Sequence, residues 1–354
     1  MNNTVVDDST ASSRGAEEIC IGSALAPNDV EVGPSSLPLV IKPDAADIDL
    51  VEWAHDHHTW IAKRLAECGA ILFRGFAIDD QQFETFIRAT SSGALPYTER
   101  SSPRSQVSGH VYTSTDYPPK QPIFLHNEQS YNCRFPTKIY FMCTLPAQVQ
   151  GSTPLCDCRR IYQRLNPVIR RRFAEKKYMY VRNFGGGLGL DWQEAFQTHD
   201  RAAVESYCRS NDIHFEWLAG DQLRTRQIRE PIARHPVSGA HSWFNHLTFF
   251  NASTLPVELR EALLLAADEE DLPNNTYYGD GSKIEESVMD ELRALYDSEK
   301  IIFAWERNDV LLIDNMLVAH GREPFVGPRR VITGLADLCE WTSVTVPTSV
   351  VPHN

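Results

Sequence analysis

The chain has 354 residues, enough to bury one large core, and we expect a single elaborated domain. Its 47 acidic and 34 basic residues give a formal net charge of −13, which disfavours nucleic acid or an anionic membrane surface as a partner. No run approaches the roughly 20 apolar residues of a membrane span, and acidic residues stand where a signal peptide would be basic and then apolar. We therefore expect a soluble protein of the cytosol.

Residues 1–36 are rich in Ser, Asn, Asp, Ala and Gly and show no apolar period, which predicts a disordered lead-in before one domain over 37–354. Within that domain, apolar spacing alternates between helical and strand-like periods. In chain order it predicts helices over 50–68, 81–90, 159–176 and 255–268, and strands over 70–73, 139–144, 310–313 and 331–333. A mixed α+β fold follows.

Two His-x-Glu triplets are candidates for metal binding. In an extended segment, residues i and i+2 point to the same side, so His126 and Glu128 could reach one ion. The triplet follows the apolar run PIFL and precedes a polar, aromatic loop, as expected of ligands at the mouth of a barrel. His214 and Glu216 instead lie in IHFEW, which alternates like a strand with both polar side chains in water. We therefore favour the first triplet.

A third ligand would come from His320, which follows the apolar run VLLI and is flanked by small residues. Two imidazoles and one carboxylate on one face are the ligand set of non-haem iron(II) oxygenases, which keep the opposite face open. A lone histidine in this position is also compatible with a hydrogen-bonded core residue.

A dicarboxylate co-substrate would need an arginine fork, preferably beside a hydroxyl group. Arg329 and Arg330 follow His320 beyond a Gly-Pro turn, and strand alternation would send one inward and the other to solvent. Thr153 is a plausible hydroxyl partner, although a threonine before proline is also an ordinary turn residue.

Several ordered blocks give the chain a family resemblance. It resembles the taurine dioxygenase-like superfamily of Fe(II)- and 2-oxoglutarate-dependent dioxygenases, and within it the syringomycin-biosynthesis type of amino-acid hydroxylase. The blocks are GAILFRGF (69–76), VSGHVYTSTDYP (107–118), FLHNEQSYN (124–132), GSTPLCDCRRIY (151–162), VRNFGGGLGLDWQEAF (181–196), LRTRQIREPIARHP (223–236), WFNH (243–246), LPNNTYYGDG (272–281) and IDNMLVAHGREPFVGPRR (313–330).

The resemblance implies a double-stranded β-helix (jelly-roll) core with flanking helices and long insertions. It implies His126, Glu128 and His320 as ligands of Fe(II), and Thr153 with Arg330 as the residues that hold 2-oxoglutarate. Dioxygen would be the other co-substrate, and succinate and CO2 would be products. Related halogenases lack the carboxylate ligand, so the intact Glu128 favours hydroxylation, while desaturation and oxidative cyclisation remain open.

For the substrate, the resemblance implies an amino acid, free or tethered to a carrier protein, in specialised metabolism such as antibiotic biosynthesis. Candidate substrate contacts lie in polar or aromatic loops beside the site blocks: Arg322, Asn183, Trp243 and Asn245. Two rival functions are a catabolic dioxygenase that cleaves a sulfonate-type molecule and a jelly-roll binding protein without turnover. The oligomeric state does not follow from the sequence.

Overall fold

A computed structural model describes residues 17–22, 37–97, 105–114, 117–187 and 189–351. Most of the predicted lead-in therefore lies outside the described residues. Its segment Glu18–Ile21, however, forms a strand that pairs in parallel with Leu39–Pro43. Ile19 and Ile21 are buried in the core, whereas the residues between and before them are exposed. An alternation of only four residues does not distinguish a strand from a loop in the sequence. The prediction of a disordered lead-in is wrong for these four residues.

The predicted helices and strands are all present. In chain order the strands are β1 (Glu18–Ile21), β2 (Leu39–Pro43), β3 (Ala70–Phe73), β4 (Ala94–Leu95), β5 (Gln106–Ser108), β6 (Val111–Thr113), β7 (Ile123–His126), β8 (Arg134–Leu145), β9 (Val149–Gln150), β10 (Leu155–Asp157), β11 (Tyr178–Phe184), β12 (Ile213–Trp217), β13 (Leu223–Arg229), β14 (Ala233–Arg234), β15 (His241–Ser242), β16 (Asn274–Tyr278), β17 (Val310–Asp314), β18 (Val318–Arg322), β19 (Phe325–Val326) and β20 (Arg330–Glu340). The helices are α1 (Leu50–Asp56), α2 (His58–Cys68), α3 (Asp80–Thr90), α4 (Cys158–Arg164), α5 (Pro167–Lys176), α6 (Trp192–Phe196), α7 (Arg201–Ser210), α8 (Leu247–Phe250), α9 (Val257–Ala266) and α10 (Glu286–Glu299).

Two of the predicted helices are each split in two. The helix over 50–68 breaks at His57, whose φ of −112° is not helical. The helix over 159–176 breaks before Pro167, because proline cannot donate an amide hydrogen bond within a helix but fits the first turn of a new one. Asn166 caps that new helix by accepting a hydrogen bond from the amide of Val168.

Two sheets pack face to face and carry the centre of the fold. The larger sheet has the order β1-β2-β3-β17-β8-β20-β6-β5, with β4 also paired to β20, and the smaller has the order β10-β18-β7. Alternate residues of β8 point to opposite faces: Tyr140 and Met142 pack against α1, α2 and α3, whereas Phe141 packs with Leu155 and Val318 of the smaller sheet. The other face of the smaller sheet packs against α4, α5 and α10.

This arrangement confirms a fold of helices around packed sheets, and the double-stranded β-helix itself stays a prediction. A further sheet of order β12-β13-β11-β16 stands beside the two central sheets. On β12, Ile213 is buried while His214 and Glu216 are exposed, as the alternation predicted. Within the described residues, no helix is long and apolar enough to cross a membrane.

Candidate metal centre

Strands β7 and β18 bring the three predicted metal ligands together. His126 ends β7 and lies directly opposite His320 of β18 in the strand register. Glu128 follows β7 by two residues, and all three side chains are buried. One ligand atom from each residue lies within 4.8 Å of the other two, and in the described part of the chain no other group of His, Cys, Asp and Glu converges in this way. These three residues could therefore bind one ion.

Hydrogen bonds orient two of the ligands. The Nδ1 atom of His126 lies 2.8 Å from the carbonyl oxygen of Phe124 and donates to it, because a carbonyl can only accept. The Nε2 atom then keeps its lone pair for a metal. The hydroxyl of Tyr97 donates to Oε1 of Glu128. Nothing in the sequence indicated this role for Tyr97.

Two asparagines hold the backbone of the His126–Glu128 segment. The side-chain oxygen of Asn315 accepts from the amide of Glu128 at 2.8 Å, and its nitrogen donates to the carbonyls of Glu128 and Pro136 at 2.8 and 2.7 Å. Asn127 donates to the carbonyl of Asn315 at 2.7 Å. Because the turn after β17 carries Asn315 and leads into β18, these bonds fix one ligand-bearing strand against the other.

Replacing Asn315 by alanine should lower the free energy of unfolding by about 3 kcal/mol. The substitution leaves the buried amide of Glu128 and the carbonyl of Pro136 without this partner, and each unsatisfied buried group costs about 1–3 kcal/mol. Urea denaturation followed by far-UV circular dichroism measures the loss. A change below about 1 kcal/mol would mean that water replaces the asparagine and that the clamp contributes little.

A small cavity of about 40 Å³ opens on one side of the two histidines. His126, His320, Thr153 and Arg329 line it. Burial lowers the pKa of Arg329 to about 10, so the guanidinium is charged at neutral pH. Its Nε donates to the carbonyl of Gly151 at 2.9 Å, and among the described residues no Asp or Glu forms an ion pair with it. The hydroxyl of Thr153 accepts from the indole of Trp305 at 3.1 Å.

Arg330, the arginine that the resemblance favoured, points away from this cavity. Its guanidinium is 2.8 Å from the carboxylate of Asp80, and its side chain is 42% exposed. It also donates to the hydroxyl of Thr144. Arg329 and Val331 both line the cavity, so strand alternation places Arg330 on the opposite side. The prediction that Arg330 faces the cavity is therefore wrong, because its neighbour Arg329 has that position.

A second cavity of about 430 Å³ also reaches His126. Glu128 lines it together with His126, and so does Arg182 on β11. Its apolar wall includes leucines 255, 259, 263 and 272. The two cavities thus share His126, one of the predicted metal ligands, and the larger one has room for an organic molecule.

Two of the predicted substrate contacts line a cavity but are already engaged. The side-chain nitrogen of Asn183 donates to the backbone carbonyls of Glu270 and Leu272. The side-chain oxygen of Asn183 accepts from the guanidinium of Arg224. The guanidinium of Arg322 lines the smaller cavity and donates to three backbone carbonyls between residues 117 and 121. Both side chains hold loops in place.

The other two predicted contacts lie in the core and line neither cavity. Trp243 is fully buried and meets the ring of Phe173 edge to face. Asn245 donates to the carbonyl of Pro231 and accepts from the amide of Leu247. The prediction that these residues touch substrate needs correction, because the aromatic and polar character that suggested it serves packing and a turn.

A protein-family model described as "Taurine catabolism dioxygenase TauD, TfdA family" matches residues 34–336. The chain belongs to this family. As a TauD/TfdA-family protein it is an iron(II)- and 2-oxoglutarate-dependent dioxygenase, which confirms the predicted family, cofactor and co-substrates.

Two relatives of this TauD/TfdA-family chain cover most of its length. The dapdiamide synthesis protein DdaC of Enterobacter agglomerans is 41% identical over 282 residues, which are 79% of this chain and 85% of the relative. A clavaminate synthase-like protein of Arabidopsis thaliana is 29% identical over 323 residues, 86% of this chain and 93% of the relative. The solved structure of PvcB from Pseudomonas aeruginosa aligns over 84% of each chain with a TM-score of 0.51 at 13% identity, and that likeness concerns the fold.

Proposed function

We propose that this dioxygenase hydroxylates an unactivated C–H bond of an amino acid, free or tethered to a carrier protein, in the synthesis of a specialised metabolite. The observation that carries the proposal is the pair of cavities that meet at His126, one lined by the partly buried Arg329 and one larger with an apolar wall of leucines. The 41% identical relative is named for the synthesis of dapdiamide, which supports a biosynthetic setting.

His126, Glu128 and His320 are the residues that would hold iron. Two imidazoles and a carboxylate, close together and buried, fit the facial ligand set of iron(II) oxygenases. When bound there, iron together with 2-oxoglutarate activates dioxygen for cleavage of a C–H bond. The carboxylate of Glu128 completes the three protein ligands, which supports hydroxylation over halogenation.

In place of Arg330, we assign Arg329 to the distal carboxylate of 2-oxoglutarate. Arg329 is partly buried and charged, and it lines the cavity that His320 also lines, where a dicarboxylate that chelates the metal would extend. A carboxylate there would supply a negative charge to this partly desolvated guanidinium. Thr153 lines the same cavity and could donate its hydroxyl proton to the carboxylate while accepting from Trp305.

The rest of the chain would position the substrate and keep water from the reacting carbon. Phe249 stacks on the ring of His126 with centroids 4.9 Å apart, and the leucines of the larger cavity present apolar surface. A substrate in this cavity would be held close to the metal ligands, within the narrow distances that a reactive geometry requires.

We also assign the two facing sheets to the predicted double-stranded β-helix and the chain to the cytosol.

Anaerobic titration of the apo-protein with Fe(II) and then 2-oxoglutarate tests the cofactor part of this proposal. Chelation of ferrous iron by 2-oxoglutarate should produce a weak visible charge-transfer band. Screening of free amino acids and carrier-bound aminoacyl groups for succinate release then tests the substrate class. An iron-loaded, folded protein without the band would contradict the site assignment, and sulfite release from a sulfonate would show the catabolic chemistry instead.

A further inference from the structure

One continuous stretch of chain, residues 249–263, supplies much of the apolar wall of the larger cavity. The side chains of this segment that line the cavity are Phe249, Phe250, Leu255, Leu259 and Leu263. Phe249 stacks on the ring of His126, so the wall begins beside a proposed iron ligand. The three leucines follow at intervals of four residues, which places them in one stripe that continues along α9.

Polar side chains that line the same cavity hold contacts within the protein. Asn251 donates to a carbonyl and a hydroxyl of β16 at 3.1 and 3.0 Å. Asn274 accepts from the hydroxyl of Tyr180 at 2.6 Å. The guanidinium carbon of Arg182 lies over the ring of Phe184, 4.5 Å from its centroid. These groups serve the packing of the cavity wall, and the leucines form an apolar surface beside them.

Helix α9 has the composition of a core helix without the burial of one. Its sequence is VELREALLLA, and none of its ten residues is buried. A helix that is apolar on most sides is normally covered by the rest of the fold. Leu255, Leu259 and Leu263 are all partly exposed, and a separate cavity of about 150 Å³ reaches Leu264. A ligand in the larger cavity would therefore cover leucine surface that the fold leaves open.

The segment is anchored before α9 and loosely packed along it. The hydroxyls of Ser253 and Thr254 accept from the guanidinium of Arg293 on α10 at 2.7 and 3.5 Å. Within α9, Arg260 pairs with Glu286 at 3.5 Å, and both side chains are exposed. An exposed pair of this kind stabilises little. The helix can therefore adjust to a ligand while the start of the segment stays in place.

We propose that residues 249–263 select the substrate by its side chain, and that Leu259 and Leu263 bind an apolar group. This inference deepens the proposed function and relies on it for the identity of the cavity as the substrate site. The substrate class is then an amino acid or aminoacyl group with an apolar side chain. A charged side chain would have to leave water for the leucine surface, which costs more free energy than the contact returns.

Isothermal titration calorimetry with neutral probes tests the proposal without turnover. The probes are 1-butanol, 1-pentanol, 1-hexanol and hexane-1,6-diol, added anaerobically to protein that holds Fe(II) and saturating 2-oxoglutarate. For the wild type, the affinity should rise about fourfold with each methylene, as expected for burial of a CH2 group. The diol should bind about tenfold more weakly than hexanol, because its far hydroxyl would lie against leucine. Equal affinity along the series, or a diol that binds as tightly as hexanol, would overturn the proposal.

The matched variants are Leu263→Asn and Leu265→Asn, which make the same change at two positions of one helix. Leu263 lines the cavity, whereas Leu265 is 90% exposed and lies outside it. Leu263→Asn should lower the affinity for hexanol about tenfold, because a buried leucine contact is lost. Leu265→Asn should leave it within about twofold, as expected for a surface substitution. A loss of the same size in both variants would contradict the proposal.

A third variant serves if Leu263→Asn does not fold. Leu259→Phe keeps the wall apolar and narrows the cavity, so it should weaken the binding of hexanol more than that of butanol. Binding of both alcohols as in the wild type would mean that they do not lie against Leu259, and the proposal would fail.

The same titration separates this inference from the function on which it depends. If the Fe(II) and 2-oxoglutarate charge-transfer band is absent, the titration is repeated on metal-free protein. A dependence on chain length that disappears in Leu263→Asn would then support the apolar site although the proposed function fails. A normal band without any dependence on chain length would contradict the role of the leucines and leave the proposed function intact.

Discussion

Replacement of Arg329 by methionine should raise the concentration of 2-oxoglutarate needed for half-saturation by about 30-fold or more. Removing one partner of a buried, hydrogen-bonded charge pair costs about 2–5 kcal/mol, and about 1.4 kcal/mol corresponds to a factor of ten. Arg330→Met is the matched control, because it removes the neighbouring charge from a surface ion pair with Asp80. Such a pair contributes about 0–1 kcal/mol, so its loss should change the half-saturation concentration by less than about fivefold.

The charge-transfer band provides the measurement, since its amplitude reports bound 2-oxoglutarate without any substrate. Arg329→Met should not destabilise the fold, because it replaces a partly desolvated cation that has no acidic partner among the described residues. Thermal unfolding with and without 2-oxoglutarate checks this: the ligand should stabilise the wild type and Arg330→Met, and not Arg329→Met. If Arg330→Met instead produced the larger loss, Arg330 rather than Arg329 would be the arginine that faces the smaller cavity.

Replacement of any one of His126, Glu128 and His320 by alanine should lower the affinity for Fe(II) more than 100-fold. Removing a residue that only supports a ligand typically costs about 10–100-fold in metal affinity, so removing a ligand itself should cost more. Anaerobic competition with a chromogenic chelator measures the affinity. Oxygenation of any substrate should be lost in parallel.

His214→Ala is the control for these variants. His214 belongs to a triplet of the same form, His214-Phe215-Glu216, but its side chain is exposed on β12. Its removal should leave the affinity for iron within about twofold of the wild type. This is much less than the loss of about 10–100-fold expected when a residue that supports a metal ligand is removed. An equal loss of iron from His214→Ala would show that the assay reports general destabilisation, or that the two triplets have been wrongly distinguished.

Much of the fold was predictable because its core elements obey simple periods. The buried strand AILF became β3, and the helix that precedes it was found apart from its break at His57. IHFEW was predicted as a strand with two exposed polar residues, and β12 has that pattern. The four-residue β1 was missed because two alternating isoleucines are too weak a signal against a polar background.

For the candidate site, the sequence indicated which types of residue to expect, and the structure showed which individual residues lie there. Alternation required one of Arg329 and Arg330 to face inward, but the choice depends on where β20 begins and on a register shift after Arg330. Tyr97 and Asn315 escaped notice because their partners lie 31 and 187 residues away in the chain. Arg182 lay within one of the blocks that carry the family resemblance, yet only the packing of β11 shows that it lines the larger cavity.

The sequence by itself indicated the family and its cofactor chemistry through the ordered blocks of resemblance. It also indicated the candidate ligands, because a metal needs particular side chains and a strand presents two of them, His126 and Glu128, at a spacing of two. The tertiary structure alone decided which arginine enters the smaller cavity, which candidate substrate contacts belong to the core, and what lines the larger cavity. Those outcomes depend on register and on packing between distant segments. Such long-range contacts leave no periodic pattern in a single sequence.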